Sequence, residues 1–220
     1  MSEFFEPPPP RPVEPAEPYV PPPWVGPPRG ILPGVVALEM VIAQTEEVAV
    51  CVSRLAGYPT GFEFELRTLA APGHEDLELD PIMFGPHRHG RRGREQELED
   101  DVLRFGVQFA DGSKATNVAG FHSPEDPPDA PVMHSGGGGG GGGDWRQTEW
   151  VWPLPPPGPL SFVCEWPAAE ILLTRAELDA RIVIDAAARA QVIFPDDHSP
   201  QSGPGATWST FAAHRKANGG

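Results

Sequence analysis

Several short segments of the chain alternate apolar and polar residues, as half-buried β-strands do. Residues 35–44 and the valine-rich segment that begins at Val48 predict a hairpin, because the polar residues 45–47 separate them. Other predicted strands begin at Phe62, Leu103, Lys114, Trp145 and Leu160. The short connections indicate antiparallel pairing. The predicted fold class is therefore mainly β: an antiparallel β-sandwich or a partly open barrel with one C-terminal amphipathic helix.

The helix is predicted from a capping signal and an apolar stripe. Thr174 followed by Glu177 fits a capping box, which marks the start of a helix. Apolar residues then recur every fourth position, as one face of a helix requires. These residues are Leu178, Ile182, Ala186 and Ala190. Pro195 is expected to end the helix, which would pack on a sheet or cover its edge.

Proline and glycine divide the chain into regions. Prolines crowd residues 1–33, which predicts a proline-rich arm of polyproline II and turns. Residues 34–195 form the predicted sandwich domain, and the polar residues 196–220 are expected to be a disordered tail. Within the domain, residues 123–143 combine Pro and Asp with an unbroken glycine run. This segment is predicted to be a flexible Pro/Gly loop.

Charge and cysteine usage restrict the partners and the compartment. A net charge of −15 argues against nucleic acid and against an anionic membrane surface, since phosphate binding needs clustered cations. No segment has the roughly 20 apolar residues that span a bilayer, and the first residues do not resemble a signal peptide. Cys51 and Cys164 fit buried free thiols, although a disulfide between them stays open. These features predict a cytoplasmic protein.

Residues 87–95 hold the pattern closest to a catalytic site. His87 and His89 would share one face of a strand, and Glu95 follows as a third candidate metal ligand. Cupins use a related His-x-His motif with a following Glu. Here the gap before Glu95 is one residue longer, and the residues between lack the alternation of a barrel strand. An exposed loop explains the pattern better, so no cofactor is predicted and the chain is expected not to be an enzyme.

Tryptophans supply the candidate interaction residues. A free arm rarely needs a tryptophan, so Trp24 is expected to anchor the arm against the domain or against a partner. Trp150 and Trp152 share one face of their predicted strand, whereas Trp145 faces the other way. Core packing is the usual role of such residues. With one face exposed, Trp150, Trp152 or Trp166 would instead stack against a carbohydrate.

Three segments resemble a family of uncharacterised proteins from high-GC actinobacteria. They are residues 21–28 (PPPWVGPP), 103–113 (LRFGVQFADGS) and 150–160 (WVWPLPPPGPL). The similarity covers most of the chain, from the proline arm to the helix. It implies a bacterial, cytosolic setting and carries over no activity, cofactor or site residue.

The favoured hypothesis is a non-catalytic protein-interaction module. Proline segments, exposed sheet edges and aromatic side chains are the usual materials of protein recognition. The identity of the protein partner and the oligomeric state stay open. The alternatives are a small-ligand or carbohydrate-binding β-sandwich and a divergent, metal-dependent cupin-like enzyme.

Overall fold

The computed structural model of the protein describes residues 20–75, 100–119, 124–129 and 131–194. The strands and the one α-helix of these described residues are, in chain order, β1 (Ile31–Leu32), β2 (Gly34–Gln44), β3 (Val48–Tyr58), β4 (Gly61–Ala70), β5 (Arg104–Gln108), β6 (Lys114–Thr116), β7 (Val132–Gly141), β8 (Asp144–Trp152), β9 (Pro159–Trp166), β10 (Ile171–Asp179), α1 (Arg181–Ala188) and β11 (Gln191–Val192). A short 3-10 helix, Pro167–Ala169, connects β9 to β10.

Two antiparallel sheets form the sandwich. The larger has the strand order β2-β3-β4-β8-β7, and the smaller has the order β10-β9-β5-β6. A separate two-stranded ribbon joins β1 to β11. The sheets do not close into a barrel, so the predicted fold class is confirmed as mainly β and antiparallel, consistent with the sandwich.

The core lies between the two sheets. Phe64 of β4 meets Phe105 of β5 and Phe162 of β9, with ring centroids 5.5 and 5.1 Å apart. Each buried aromatic side chain contributes roughly 2–3 kcal/mol by leaving water. The predicted alternation places the following residues in the interior, as expected: Val48, Val50, Val52, Phe62, Leu66, Leu103, Val107, Phe109, Leu160, Cys164 and Trp166.

The predicted start of the helix is wrong, because that segment is strand β10. Thr174 pairs with Cys164 of β9, and Glu177 lies in the same strand, so no capping box forms. The helix begins at Arg181, and Ile182 of the predicted apolar stripe is exposed. Its buried residues are Val183, Ala186 and Ala187. Long-range pairing with β9 therefore outweighs the local helical spacing.

The predicted flexible loop at residues 123–143 is wrong for most of the glycine run. Residues 132–141 form β7, which pairs antiparallel with β8. Gly142 and Gly143 have positive φ values of 60° and 79° and make the turn between the two strands. Hydrogen bonding to β8 orders this segment, although its glycines have no side chains that could alternate between the two faces of a strand.

The described part of the proline arm packs on the domain. The N–H of Val25 donates to the carbonyl oxygen of Pro22 at 3.0 Å, and this turn presents Trp24. Further along, Ile31 pairs with Val192 in the β1–β11 ribbon. Residues 1–19 of the arm and the predicted tail at 196–220 lie outside the described residues. Within the described ranges, no helix has the length and apolar character needed to cross a membrane.

Candidate functional site

The three predicted interaction residues, Trp24, Trp150 and Trp152, meet on the outer face of the five-stranded sheet. The rings of Trp24 and Trp152 pack edge to face, with centroids 6.0 Å apart. The indole N–H of Trp150 donates to the carbonyl oxygen of Pro23 at 3.1 Å, and its ring contacts Tyr58 at 5.6 Å. The cluster therefore fastens the arm to its own sheet.

This packing uses the aromatic surfaces that a carbohydrate would need. Trp150 and Trp166 are each only 3% exposed, so neither presents a ring face to solvent. Trp152 is partly exposed, but Trp24 already packs against it. The carbohydrate hypothesis is left without an aromatic platform at these positions.

The metal hypothesis rests on residues that the structure does not describe. His87, His89 and Glu95 all lie between residues 76 and 99, outside the described ranges. Within those ranges, no group of three or more His, Cys, Asp or Glu side chains is placed to hold a metal ion. The cupin-like interpretation therefore stays a prediction.

The glycine-rich strand β7 forms one edge of the five-stranded sheet. It pairs with β8 on one side and with no other strand of the described residues. Residues 136–141 are exposed and carry no side chains. Natural proteins usually protect such edges with charges, prolines or bulges. Here a single register shift between Ser135 and Gly138 is the device present, so the backbone of the glycine run is accessible for hydrogen bonding.

Five of the six glycines of β7 fall into two sets, and Gly136 lies between them because a Cβ there would be 3.2 Å from the carbonyl oxygen of Thr148. A Cβ added at Gly138 or Gly140 would lie 2.9 Å from the carbonyl oxygen of Arg146 or 2.0 Å from that of Asp144. These two positions must be glycine for β7 to pack on β8. In the second set, a Cβ would meet nothing within 4 Å. We call this second set the open glycines: Gly137, Gly139 and Gly141.

Two arginines lie beside the open glycines. Gly139 pairs with Arg146 of β8, which pairs in turn with Arg67 of β4, so the three form a row across the sheet. Asp144 accepts hydrogen bonds from Arg67 Nε at 2.8 Å and from Arg146 Nη2 at 3.1 Å. The hydrogen bond from Arg67 contributes most to holding the pKa of Asp144 at about 2. Arg67 is near a second carboxylate, that of Glu65, whereas Arg146 shares Asp144 and is about half exposed, so Arg146 is the arginine that is more available to a partner.

Two polar side chains of β8 lie inside the sandwich next to β7. Glu149 is 2% exposed and accepts a hydrogen bond from Ser135 Oγ at 2.9 Å. Burial outweighs that bond and raises the pKa of Glu149 to about 7. Gln147 is 1% exposed, and its amide has no hydrogen-bond partner among the described residues.

A second accessible surface, which we call the outer groove, lies on the outer face of the four-stranded sheet. It has a volume of about 280 Å³ and is lined from β10, β9, β5 and β6. Gly106 lies in its floor, and its charged lining residues are Arg104, Lys114, Glu165 and Arg175. The outer groove therefore has charged side chains along its walls and a glycine, which has no side chain, in its floor.

Sequence reasoning missed the β7 edge, the buried polar pair and the outer groove. Glu149 and Gln147 fall on the same side of the β8 alternation as Val151 and Trp145, which pack in the core. Polar residues at predicted core positions are the signal that marks them. Glycine offers no comparable signal, because it has no side chain to alternate.

The fold and its edge define the class of protein: an antiparallel β-sandwich whose larger sheet ends in an exposed, glycine-rich edge strand. Comparisons of the chain with protein-family models, with curated proteins and with solved structures find no match. Function must therefore be inferred from the geometry and the charge of the chain itself.

Proposed function

We propose that the protein is a non-catalytic interaction module that binds an extended segment of a partner protein as an additional strand along β7. The observation that carries this proposal is the exposed glycine edge, which pairs with β8 alone among the described strands. An edge of this kind offers unpaired backbone donors and acceptors to an incoming strand. Main-chain hydrogen bonds would then supply the affinity.

The open glycines support this mode of binding. Their packing environment accepts a side chain, so the fold does not explain why Gly137, Gly139 and Gly141 lack one. Without side chains, this row lets the side chains of an incoming strand extend over β7 toward β8. Glycine also weakens a strand by roughly 0.5–1 kcal/mol per residue, and a second pairing strand would offset part of that cost.

The arginine row indicates the chemistry of the partner. Arg146 is one strand away from Gly139, and its side chain is about half exposed. An added strand would lie two strand spacings, or about 10 Å, from the backbone of Arg146. Long side chains span that gap, so an acidic residue of the partner would pair with Arg146. The expected partner is therefore an extended segment with at least one Asp or Glu facing the arginine row.

The other predicted routes to a partner have less support. Trp24 and Trp150 are engaged with the chain's own arm and sheet, so they offer less to a partner than the exposed backbone of β7 does. The net charge of −15 supports a protein partner over nucleic acid. Cys51 and Cys164 are both free thiols, which supports a cytoplasmic location.

Site-specific photo-crosslinking tests the proposal. A photo-reactive amino acid in place of Gly139 extends into open space, so the fold tolerates it. The matched control carries the same amino acid in place of Leu172, which is 81% exposed on β10. Strand addition predicts crosslinks from position 139 to one segment of a partner and none to that segment from position 172. Changing Arg146 to Gln should reduce the yield at position 139.

Hydrogen exchange then distinguishes strand addition from simple proximity. Binding of the captured segment should slow the exchange of backbone amides within residues 136–141, because added pairing protects them. A crosslink without such protection, or equal capture from both positions, contradicts the proposal. Crosslinks between two copies of this chain would show that the added strand comes from a second copy of the chain and not from a different protein.

A further inference from the structure

The outer groove is formed by a row of residues that crosses all four strands of the smaller sheet. Arg175 of β10 pairs with Val163 of β9, Val163 with Gly106 of β5, and Gly106 with Thr116 of β6. Neighbouring strands are about 4.8 Å apart, so the row is roughly 14 Å long. Gly106 leaves a depression near its middle.

Strand packing keeps that depression empty of protein side chains. A Cβ at position 106 would lie 2.7 Å from the carbonyl oxygen of Ala115 and 2.9 Å from the methyl group of Thr116. Glycine is therefore required by the close approach of β6 to β5. The depression is a fixed consequence of how these two strands pair.

The charges around the outer groove are unequally neutralised. Arg104 Nη1 donates to Glu165 at 2.6 Å, so these two opposite charges compensate each other. Among the described residues, the carboxylate nearest to Arg175 is that of Glu177, at 3.9 Å, and Arg175 Nη1 also donates a long hydrogen bond to Ser161 Oγ at 3.4 Å. Lys114 is exposed and makes no ion pair with the residues that the structure describes. Two cationic side chains, at opposite ends of the groove, are thus left to attract an anion.

Apolar groups complete the lining. Val163 and Val118 face the groove, and Leu173 is 71% exposed beside it. This mixture of a few polar groups and apolar walls is typical of small-molecule sites. The volume of about 280 Å³ is just below the usual range for such sites, about 300–1,000 Å³, which restricts the ligand to a small molecule.

We infer that the outer groove binds a small organic carboxylate with an apolar body. The carboxylate would pair with Arg175 or Lys114, and the apolar body would cover Gly106 and contact Val163. This inference concerns a different sheet from β7 and does not depend on strand addition there.

Binding of matched carboxylates and amides tests the inference. Phenylbutyrate, benzoate and octanoate, each beside its neutral amide, are titrated into the isotope-labelled protein and followed by NMR chemical shifts. The inference predicts saturable shifts near Gly106, Thr116 and Val163, with the carboxylate binding about tenfold or more tightly than its amide, since a charge-assisted hydrogen bond is lost in the amide.

Variants of the two cationic residues distinguish specific binding in the outer groove from non-specific attraction between an anion and positive charge. One of the two variants, Arg175→Gln or Lys114→Gln, removes the cation that pairs with the carboxylate and should weaken its binding about tenfold, whereas the other should have a smaller effect, and both should leave binding of the amide unchanged. Arg181→Gln removes an equal charge from the exposed start of α1 and should have no effect. Thermal unfolding confirms that each variant is folded. Equal affinity for acid and amide, equal effects of all three variants, or no saturable binding of any probe would overturn the inference.

Discussion

Gly140 of β7 lies so close to Asp144 of β8 that a Cβ at position 140 would be 2.0 Å from the Asp144 carbonyl oxygen. A Cβ on the neighbouring Gly139 would project to the opposite face of the sheet, where nothing lies within 4 Å of it. Two adjacent glycines of one strand therefore have opposite packing requirements.

Alanine substitution should separate these two glycines. We expect Gly140→Ala to destabilise the β7–β8 pairing by about 1–3 kcal/mol, because an overpacked side chain forces the strands apart. Gly139→Ala should be neutral or should stabilise the protein by up to about 1 kcal/mol, since it restricts the unfolded chain at an open site. Amide exchange across residues 132–141 and chemical denaturation measure both effects. Equal effects of the two variants would contradict the packing difference.

The core strands could be predicted because their side chains alternate and both sheets bury one face. Phe62, Phe64 and Leu66 show this pattern, with charged residues between them. In such strands, the residues that the alternation predicts to be apolar and inward-facing are the residues that the fold buries. That agreement explains why the fold class could be predicted from one sequence.

The errors arose where pairing between distant segments decides the structure. Leu172 and Leu173 interrupt the alternation of β10 at its irregular register, and both are exposed. The remaining residues, including Thr174 and Glu177, match a helical spacing that pairing with β9 overrides. Strand β7 is the extreme case, since glycine carries no periodic signal. The candidate site on β7 could therefore not be predicted from the side-chain pattern.

Removal of Trp24 should release the arm and leave the sandwich folded. The Trp24–Trp152 edge contact and the Trp150–Pro23 hydrogen bond hold the arm on the sheet. We expect Trp24→Ala to cost about 1–3 kcal/mol of local stability from lost burial and aromatic contact. Faster amide exchange in residues 20–30, with unchanged exchange in β3 and β4, is the expected readout.

A matched variant controls for the loss of any large side chain. Val41→Ala alters a residue of β2 that is 55% exposed and should leave the exchange of the arm unchanged. Global unfolding of Trp24→Ala would show that the arm is part of the core. Unchanged exchange in residues 20–30 would show that the aromatic contact does not hold the arm.

The Arg67–Asp144 pair should stabilise the protein only while Asp144 is ionised. Its folded-state pKa of about 2 lies below the ordinary value of 3.8. The stabilisation is therefore complete above about pH 4 and is lost as the pH falls toward 2. We expect Asp144→Asn to lower the free energy of unfolding at pH 7 by about 1–2 kcal/mol, with the difference from the native chain shrinking in acid.

A double-mutant cycle with Arg67→Gln measures the coupling directly. The coupling between Arg67 and Asp144 should be favourable at pH 7 and should decrease toward pH 3. A coupling that is independent of pH would mean that packing, rather than ionisation, links the two residues.

Glu149 should give the protein the opposite pH dependence. Its folded-state pKa of about 7 is above the ordinary value of 4.5, because burial of the carboxyl outweighs the hydrogen bond that it accepts from Ser135. Between pH 4.5 and 7, the Glu149 carboxyl loses its proton in the unfolded chain but keeps it in the folded protein. The contribution of Glu149 to stability is therefore complete below pH 4.5 and falls as the pH rises from 4.5 to 7. The loss is on the order of 1–3 kcal/mol.

Glu149→Gln isolates this effect from the other charges of an acidic chain. The amide oxygen still accepts a hydrogen bond from Ser135 but cannot ionise. We expect the variant to be more stable than the native chain at pH 8 and to lose that advantage below about pH 5. Because Ser135 and Glu149 connect β7 to β8, amide exchange in β7 should slow in the same variant at pH 8. If the two proteins show parallel stability curves from pH 4 to pH 8, the Glu149 carboxyl is not titrating in the folded state as proposed.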